Sequence, residues 1–249
     1  MANFCLIVQY DGTQYNGWQR QGNTPDTIQE KLELILEHLY GQPVEVNGSG
    51  RTDAGVHALH QVANYRVPRL LSKYSCQEIQ SYFNQYLPMD IRVLSVQKAD
   101  DRFHARLNAS GKLYEYKIDC GDVANVFQRR YLYRVEEPLN IPNMEKAASY
   151  LVGTHDFKSF QASGGQEKET TVRTIHSLII RRDAENVIIE VSGDGFLYNM
   201  VRIIVGTLTE VGLGKKNPDE LKNIIESRDR QKAGHTAPAE GLYLVEVYY

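Results

Sequence analysis

Hydrophobic periodicity places the same run of elements twice along the chain: strand, helix, strand, strand, helix, strand. Residues 4–10 alternate as a strand, and residues 27–40, "TIQEKLELILEHLY", set Ile28, Leu32, Ile35, Leu36 and Leu39 on one helical face. Thr24-Pro25-Asp26 stands before that helix as a candidate N-cap region, and Gly41-Gln42-Pro43 after it as a stop. Residues 44–48 and 60–67 read as strands, residues 76–86 as a helix ended before Pro88, and residues 91–97 as a strand.

The second run has longer connections. Residues 112–120 alternate as a strand, and residues 143–152 read as a helix closed by Gly153. A hairpin is expected from residues 172–182 and 186–192, then helices at 198–211 and 219–227, the latter with Pro218 at its start. Residues 242–249, "LYLVEVYY", close the chain as a strand, and residues 162–166, "ASGGQ", read as a mobile loop. Two β-α-β-β-α-β units predict an α+β chain of two ferredoxin-like halves, residues 1–105 and 106–249. Together they are expected to form a mixed, mainly antiparallel sheet with helices on one side and a central cleft. The likeness between the halves lies in element order, not in sequence.

With 249 residues, 42% apolar and 24% charged, the composition is that of a globular protein with a sizeable core. Cys5, Cys76 and Cys120 are far apart and show no metal-ligand or redox spacing, which predicts free thiols in a reducing, cytoplasmic compartment. The opening "MANFCLIVQYDG" has no basic leader, and "MVRIIVGTL" is interrupted by Arg202 and too short for a membrane span, so no membrane association is expected. The net charge of −3 gives no general argument for a nucleic-acid partner, yet between Asp101 and Arg134 seven Lys/Arg stand against four Asp/Glu, a local balance of +3.

The residues able to carry chemistry cluster at strand-loop junctions, where binding groups are mounted on a rigid sheet. In "GSGRTDAGVHA", residues 48–58, Asp53 follows Arg51-Thr52 and is flanked by Gly48, Gly50 and Gly55. Glycines so placed permit positive φ and close approach to a ligand. Asp53 by itself reads first as a turn residue bonding nearby N–H groups, and only then as a carboxylate kept for chemistry. Asp11 closes a turn with Gly12 on the same reasoning, and His57 and His60 lack a third ligand at zinc spacing. His104, within "FHAR", orders its loop or contacts phosphate.

Taken in order, "YDGTQYNGWQ", "GSGRTDAGVHA", "FHAR", "KLYEYKI", "GFLYNMVR" and "AGHTAPAEGLYLVEV" resemble the successive motifs of TruA-type tRNA pseudouridine synthases from residue 10 to residue 247. A departure is Ala239-Glu240 after "TAP", where a second proline is common. The resemblance implies a cofactor-independent isomerase that converts uridine to pseudouridine in the tRNA anticodon stem-loop, at positions 38–40, as a homodimer with no DNA or membrane partner. It implies that Asp53 is the catalytic carboxylate, that Arg202 keeps it ionised by direct attraction, and that Tyr114 stacks on the target base or handles its protons. Leu197 would wall the base pocket, and Arg51 would fill the place the flipped nucleotide leaves. Lys112, Arg129 and Arg130 are expected to help hold phosphate. Two other readings fit the same scaffold: a non-catalytic RNA binder, which has no need of a carboxylate facing phosphates, and an N-glycoside hydrolase, which wants a second acid near Asp53.

Overall fold

Phe4, Leu6 and Val8 occupy alternate positions of the first strand, and all three are fully buried in the computed structural model, as period-two patterning requires of a sheet with one covered face. The structure describes residues 1–164 and 170–249, so residues 165 and 166 of the loop expected at 162–166 lie outside the described residues. The chain divides into two units, Met1–Ser110 with Tyr243–Tyr249, and Gly111–Leu242. The last strand, counted above with the second half, thus groups with the first unit.

In the first unit the order is β1 (Ala2–Tyr10), α1 (Ile28–Tyr40), β2 (Val46–Gly48), β3 (His57–Val67), α2 (Cys76–Tyr86) and β4 (Ile91–Ala99). β1 lies between β3 and β4, antiparallel to both, and β2 pairs antiparallel with the far part of β3. β10 (Leu242–Tyr248) adds a parallel pairing at the near end of β3, Tyr243 against His57 and Leu244 against Ala58. The result is a mainly antiparallel, mixed sheet with the 4-1-3-2 order of a ferredoxin-like unit. α1 starts at Thr27, whose side chain accepts the Glu30 N–H, and not in the 24–26 segment; it ends on Gly41 in the left-handed region.

The second unit holds β5 (Gly111–Asp119), β6 (Tyr133–Arg134), α3 (Ile141–Ser149), β7 (Gly153–Asp156), β8 (Val172–Asp183), β9 (Asn186–Gly193), α4 (Met200–Gly212) and α5 (Glu220–Ser227). Its antiparallel order is β5-β9-β8-β7, with β6 parallel to β5. α3 packs on α4 and β8. The helix expected at 143–152 instead runs from an Asn140 cap to Ser149, because buried Leu151 continues the apolar period past its end. Gly153, read as the closing glycine, opens β7 at φ +111°. Among the described residues no helix is long and apolar enough to cross a membrane.

The apolar helix α4 is packed against main chain: a β-carbon on Gly206 would stand 2.0 Å from the His235 carbonyl oxygen. Gly206→Ala is expected to destabilise the protein by about 1–3 kcal/mol through overpacking, read as a lowered urea midpoint. Gly22→Ala, with no neighbour within 4 Å of the new carbon, should stay within about 0.5 kcal/mol of the parent.

Candidate active site

Asp53 lies in the connection between β2 and β3, and that connection is held by main chain on its inner side. The Asp53 carbonyl accepts the Val56 N–H at 3.1 Å, closing a turn in which Gly55 takes φ +80°. Trp18 N–H donates to the Thr52 carbonyl at 3.0 Å, and Gly55 N–H to the Tyr15 carbonyl at 3.3 Å. These bonds require the segment after β1 to pass against the loop with no side chain between. A β-carbon on Gly12 would sit 2.0 Å from the Val56 oxygen, and one on Gly17, itself at φ +89°, 2.6 Å from the Thr52 oxygen. Thr52 is buried and its hydroxyl bonds the Tyr10 hydroxyl at 2.7 Å. Asp53, half-buried, follows directly.

The loop glycines divide their tasks differently from the expectation of close ligand approach. Gly55 alone of Gly48, Gly50 and Gly55 takes a positive φ. A β-carbon on Gly48 would meet the Trp18 indole at 2.5 Å, so this glycine makes room for a buried ring. Asp11 does close a turn, accepting the Thr13 N–H at 2.9 Å. Its neighbour His57 is buried, stacks on Tyr243 at 4.8 Å between ring centres, and accepts the Gly12 N–H on Nδ1 at 3.1 Å.

Arg51 stands at the exposed end of a directed chain of hydrogen bonds. The buried Glu33 carboxylate accepts from Gln29 Nε2 at 2.9 Å, from Val46 N–H at 3.0 Å and from Arg20 Nη1 at 2.7 Å. With its amide nitrogen committed inward, Gln29 presents Oε1 to Gln19 Nε2 at 2.7 Å, and Gln19 then presents Oε1 to Arg51 Nε at 3.0 Å. A carboxylate accepts only, so it orients both amides and leaves an acceptor for the guanidinium. Gln19, Gln29 and Glu33 were not singled out from sequence, where two polar residues inside an amphipathic helix carry no such signal.

In the second unit the structure gathers Tyr114, Leu197 and Arg202 around the junction of β9 and α4. Tyr114, buried on β5, pairs with Val191 and meets the Phe196 ring edge-on at 5.2 Å. Leu197 is buried and its carbonyl accepts the Met200 N–H. Asn199 turns the chain into α4 with φ +58°, a conformation asparagine tolerates better than most residues. Its side-chain oxygen accepts from Arg202 Nη1 at 2.9 Å, while Arg202 Nε donates to the Ala237 carbonyl at 2.7 Å. Arg202 is therefore half-buried and held at two points, not a solvated helix residue. Asn199 gives no local signal of its turn, because the apolar pattern of residues 198–211 predicts helix straight through it. Beside Arg202, Tyr116 donates to the Pro238 carbonyl at 2.7 Å, and burial pushes its phenol well above the usual tyrosine range.

The family model described as tRNA pseudouridine synthase matches residues 6–108 and 147–249. The chain is 50% identical over 244 residues to tRNA pseudouridine synthase A of Bacillus sp. (strain KSM-64), covering 98% of each protein. It is 49% identical over 253 aligned positions to the protein of the same name from Acetivibrio thermocellus, covering 100% of both. With tRNA pseudouridine synthase A of Thermoanaerobacter sp. (strain X514) it shares 46% identity over 249 residues, again covering 100% of both.

The Tyr10 hydroxyl ties the Thr52 end of the loop to β1, and Tyr10→Phe leaves a buried hydroxyl short of a partner. A loss of about 1–3 kcal/mol is expected in urea unfolding. Burial raises the Tyr10 phenol above its ordinary range, so its contribution is complete below about pH 10 and declines as pH rises further. The alkaline decline should be shallower in Tyr10→Phe.

Proposed function

The chain belongs to the tRNA pseudouridine synthase family, and on that premise we propose that Asp53 is the nucleophile with which it isomerises uridine in the anticodon stem-loop of tRNA. The reaction breaks the N1–C1′ bond, turns the uracil over and joins C5 to C1′; the C5 proton leaves and N1 gains one. Atoms and electrons balance within the nucleotide, so the reading calls for no cofactor. The observation that carries it is the placement of Asp53: a half-buried carboxylate beside a buried threonine, in a loop whose backbone is pinned on both flanks. Such a group is pre-positioned for covalent catalysis, with C1′ of the ribose and C6 of the base as the two carbons open to it.

The target nucleotide must leave its stack, at a cost of roughly a few kcal/mol. On this reading Arg51, exposed and aimed by Gln19, fills the vacated place, since a guanidinium stacks on bases and binds phosphate with the same planar fork. Tyr114 stacks on the uracil or handles its protons, Leu197 supplies an apolar wall, and Arg202 keeps Asp53 ionised. Lys112, Arg129 and Arg130 contribute to phosphate binding. Work in the cytoplasm as a homodimer is part of the same proposal; the free thiols Cys5, Cys76 and Cys120 agree with a reducing compartment. A second subunit would let a chain of net charge −3 build a shared basic surface for a polyanion.

Incubation with unmodified tRNA, followed by nucleoside mapping of the anticodon arm, should place pseudouridine on its 3′ side. Asp53→Asn is expected to eliminate product while tRNA affinity stays within a few-fold of the parent; conversion at the parent rate would remove Asp53 from the chemistry. Sedimentation at micromolar concentration should return a dimer, and a monomer throughout would remove the shared-surface idea.

A further inference from the structure

The first unit contains a cavity of about 250 Å³ beside the Asp53 loop, lined among others by Gln19, Glu45, Asn47, Arg51, His104 and Arg106. Its chemistry is weighted toward donors. His104 Nδ1 accepts the Arg106 N–H at 3.1 Å, so the neutral ring carries its proton on Nε2 and offers it outward. Among the described residues, His104 Nε2, the Arg106 guanidinium and the Asn47 side-chain amide have no hydrogen-bond partner within the chain. Arg51, directed by the Glu33-Gln29-Gln19 relay, adds a second guanidinium to the same lining. Glu45 is an acid in that lining, and it is exposed.

Resting on the reading of the substrate as tRNA, we propose that this cavity is a phosphodiester-binding subsite. His104 and Arg106 hold a phosphate of the strand that carries the target uridine, and Asn47 meets the sugar or base attached to it. Two arginines and a histidine lining one recess suit an anion with several acceptor oxygens, and hydrogen bonds to an ionised acceptor are the strong class. The amides do not demand a particular base. The subsite therefore sets the register of the strand beside Asp53 and contributes little sequence preference. A residue that binds ground state and transition state alike changes KM and leaves kcat in place.

The test is tRNA binding and turnover with unmodified transcript across a range of salt. Arg106→Ala and His104→Asn are the variants of choice; asparagine retains an acceptor for the Arg106 N–H but lacks the outward donor. Each is expected to weaken binding several-fold and to raise KM with kcat unchanged. Arg106→Ala, which removes a charge, should also reduce the slope of log K against log salt by about 0.7–0.9, whereas His104→Asn, which removes a neutral donor, should leave the slope as it is. Glu45→Gln should tighten binding, because it removes a carboxylate from an anion site. An unchanged slope in Arg106→Ala, unchanged affinity in His104→Asn, or no gain from Glu45→Gln overturns the subsite while leaving the proposed reaction standing. A parent protein that binds tRNA with the predicted salt response yet forms no pseudouridine overturns the reaction and leaves the subsite in place.

Discussion

Two stretches of main chain, Gly12–Trp18 and Thr52–Val56, lie closer together than any side chain at Gly12 or Gly17 would allow. That contact sets the Asp53 loop on the first unit's sheet. β1 delivers one stretch and β3 begins directly after the other, so the separation of two neighbouring strands fixes where Asp53 can be. Carbonyl and N–H groups do the fixing, through Trp18 to Thr52 and Gly55 to Tyr15. A loop held this way loses its freedom during folding, when sheet formation offsets the entropy, and stands ordered before any ligand arrives. Buried Trp18 anchors the arrangement, its indole seated over the space that Gly48 leaves.

The relay from Glu33 to Arg51 is a second use of the same fold. Gln29 and Glu33 are 6% and 7% exposed on a helix whose other buried positions are mainly apolar, an arrangement that costs free energy unless every polar atom is bonded. Here the Gln29 side chain makes four hydrogen bonds, to Gln19, Arg20, Glu33 and Val46, and the Glu33 carboxylate accepts from three residues. Such a network has one low-energy orientation, because reversing either amide sets donor against donor or acceptor against acceptor. The helix thereby passes a preferred direction to an exposed arginine that would otherwise sample many rotamers.

The sequence disclosed the parts of this fold that depend on near neighbours. Period-two and period-3.6 patterns locate the strands and helices because each buries one face, and the pattern overruns an element where a buried residue lies just beyond it, as Leu151 does after α3. The proposed roles of Asp53 and Arg51 rest on an ordered set of motifs, which the chain order alone displays. The relay was not, since Gln19, Gln29 and Glu33 become meaningful only when the segment after β1 crosses α1. Asn199 was hidden for a related reason: the aromatic and apolar residues before Met200 extend the helical pattern of α4 through a residue that is left-handed. The role of Gly48 depends on a ring thirty positions earlier in the chain, a relation that no local pattern records.

Arg202 shows the same logic in the second unit, where the consequence is geometric. Its Nε is committed to the Ala237 carbonyl and its Nη1 to Asn199, while the Ala237 N–H returns to the Arg202 carbonyl. Two bonds to a planar fork define the plane and rotation of the whole guanidinium, so its remaining donors point in a fixed direction without further ordering. A lysine has no such plane and could not be aimed by the same two acceptors. Both acceptors are themselves constrained, Asn199 by its left-handed backbone at the start of α4 and Ala237 by full burial. An arginine held so is a preorganised charge, and preorganised charge is most effective where it need not rearrange as a reaction proceeds. The short segment before β10 therefore matters through its backbone carbonyl as much as through its side chains.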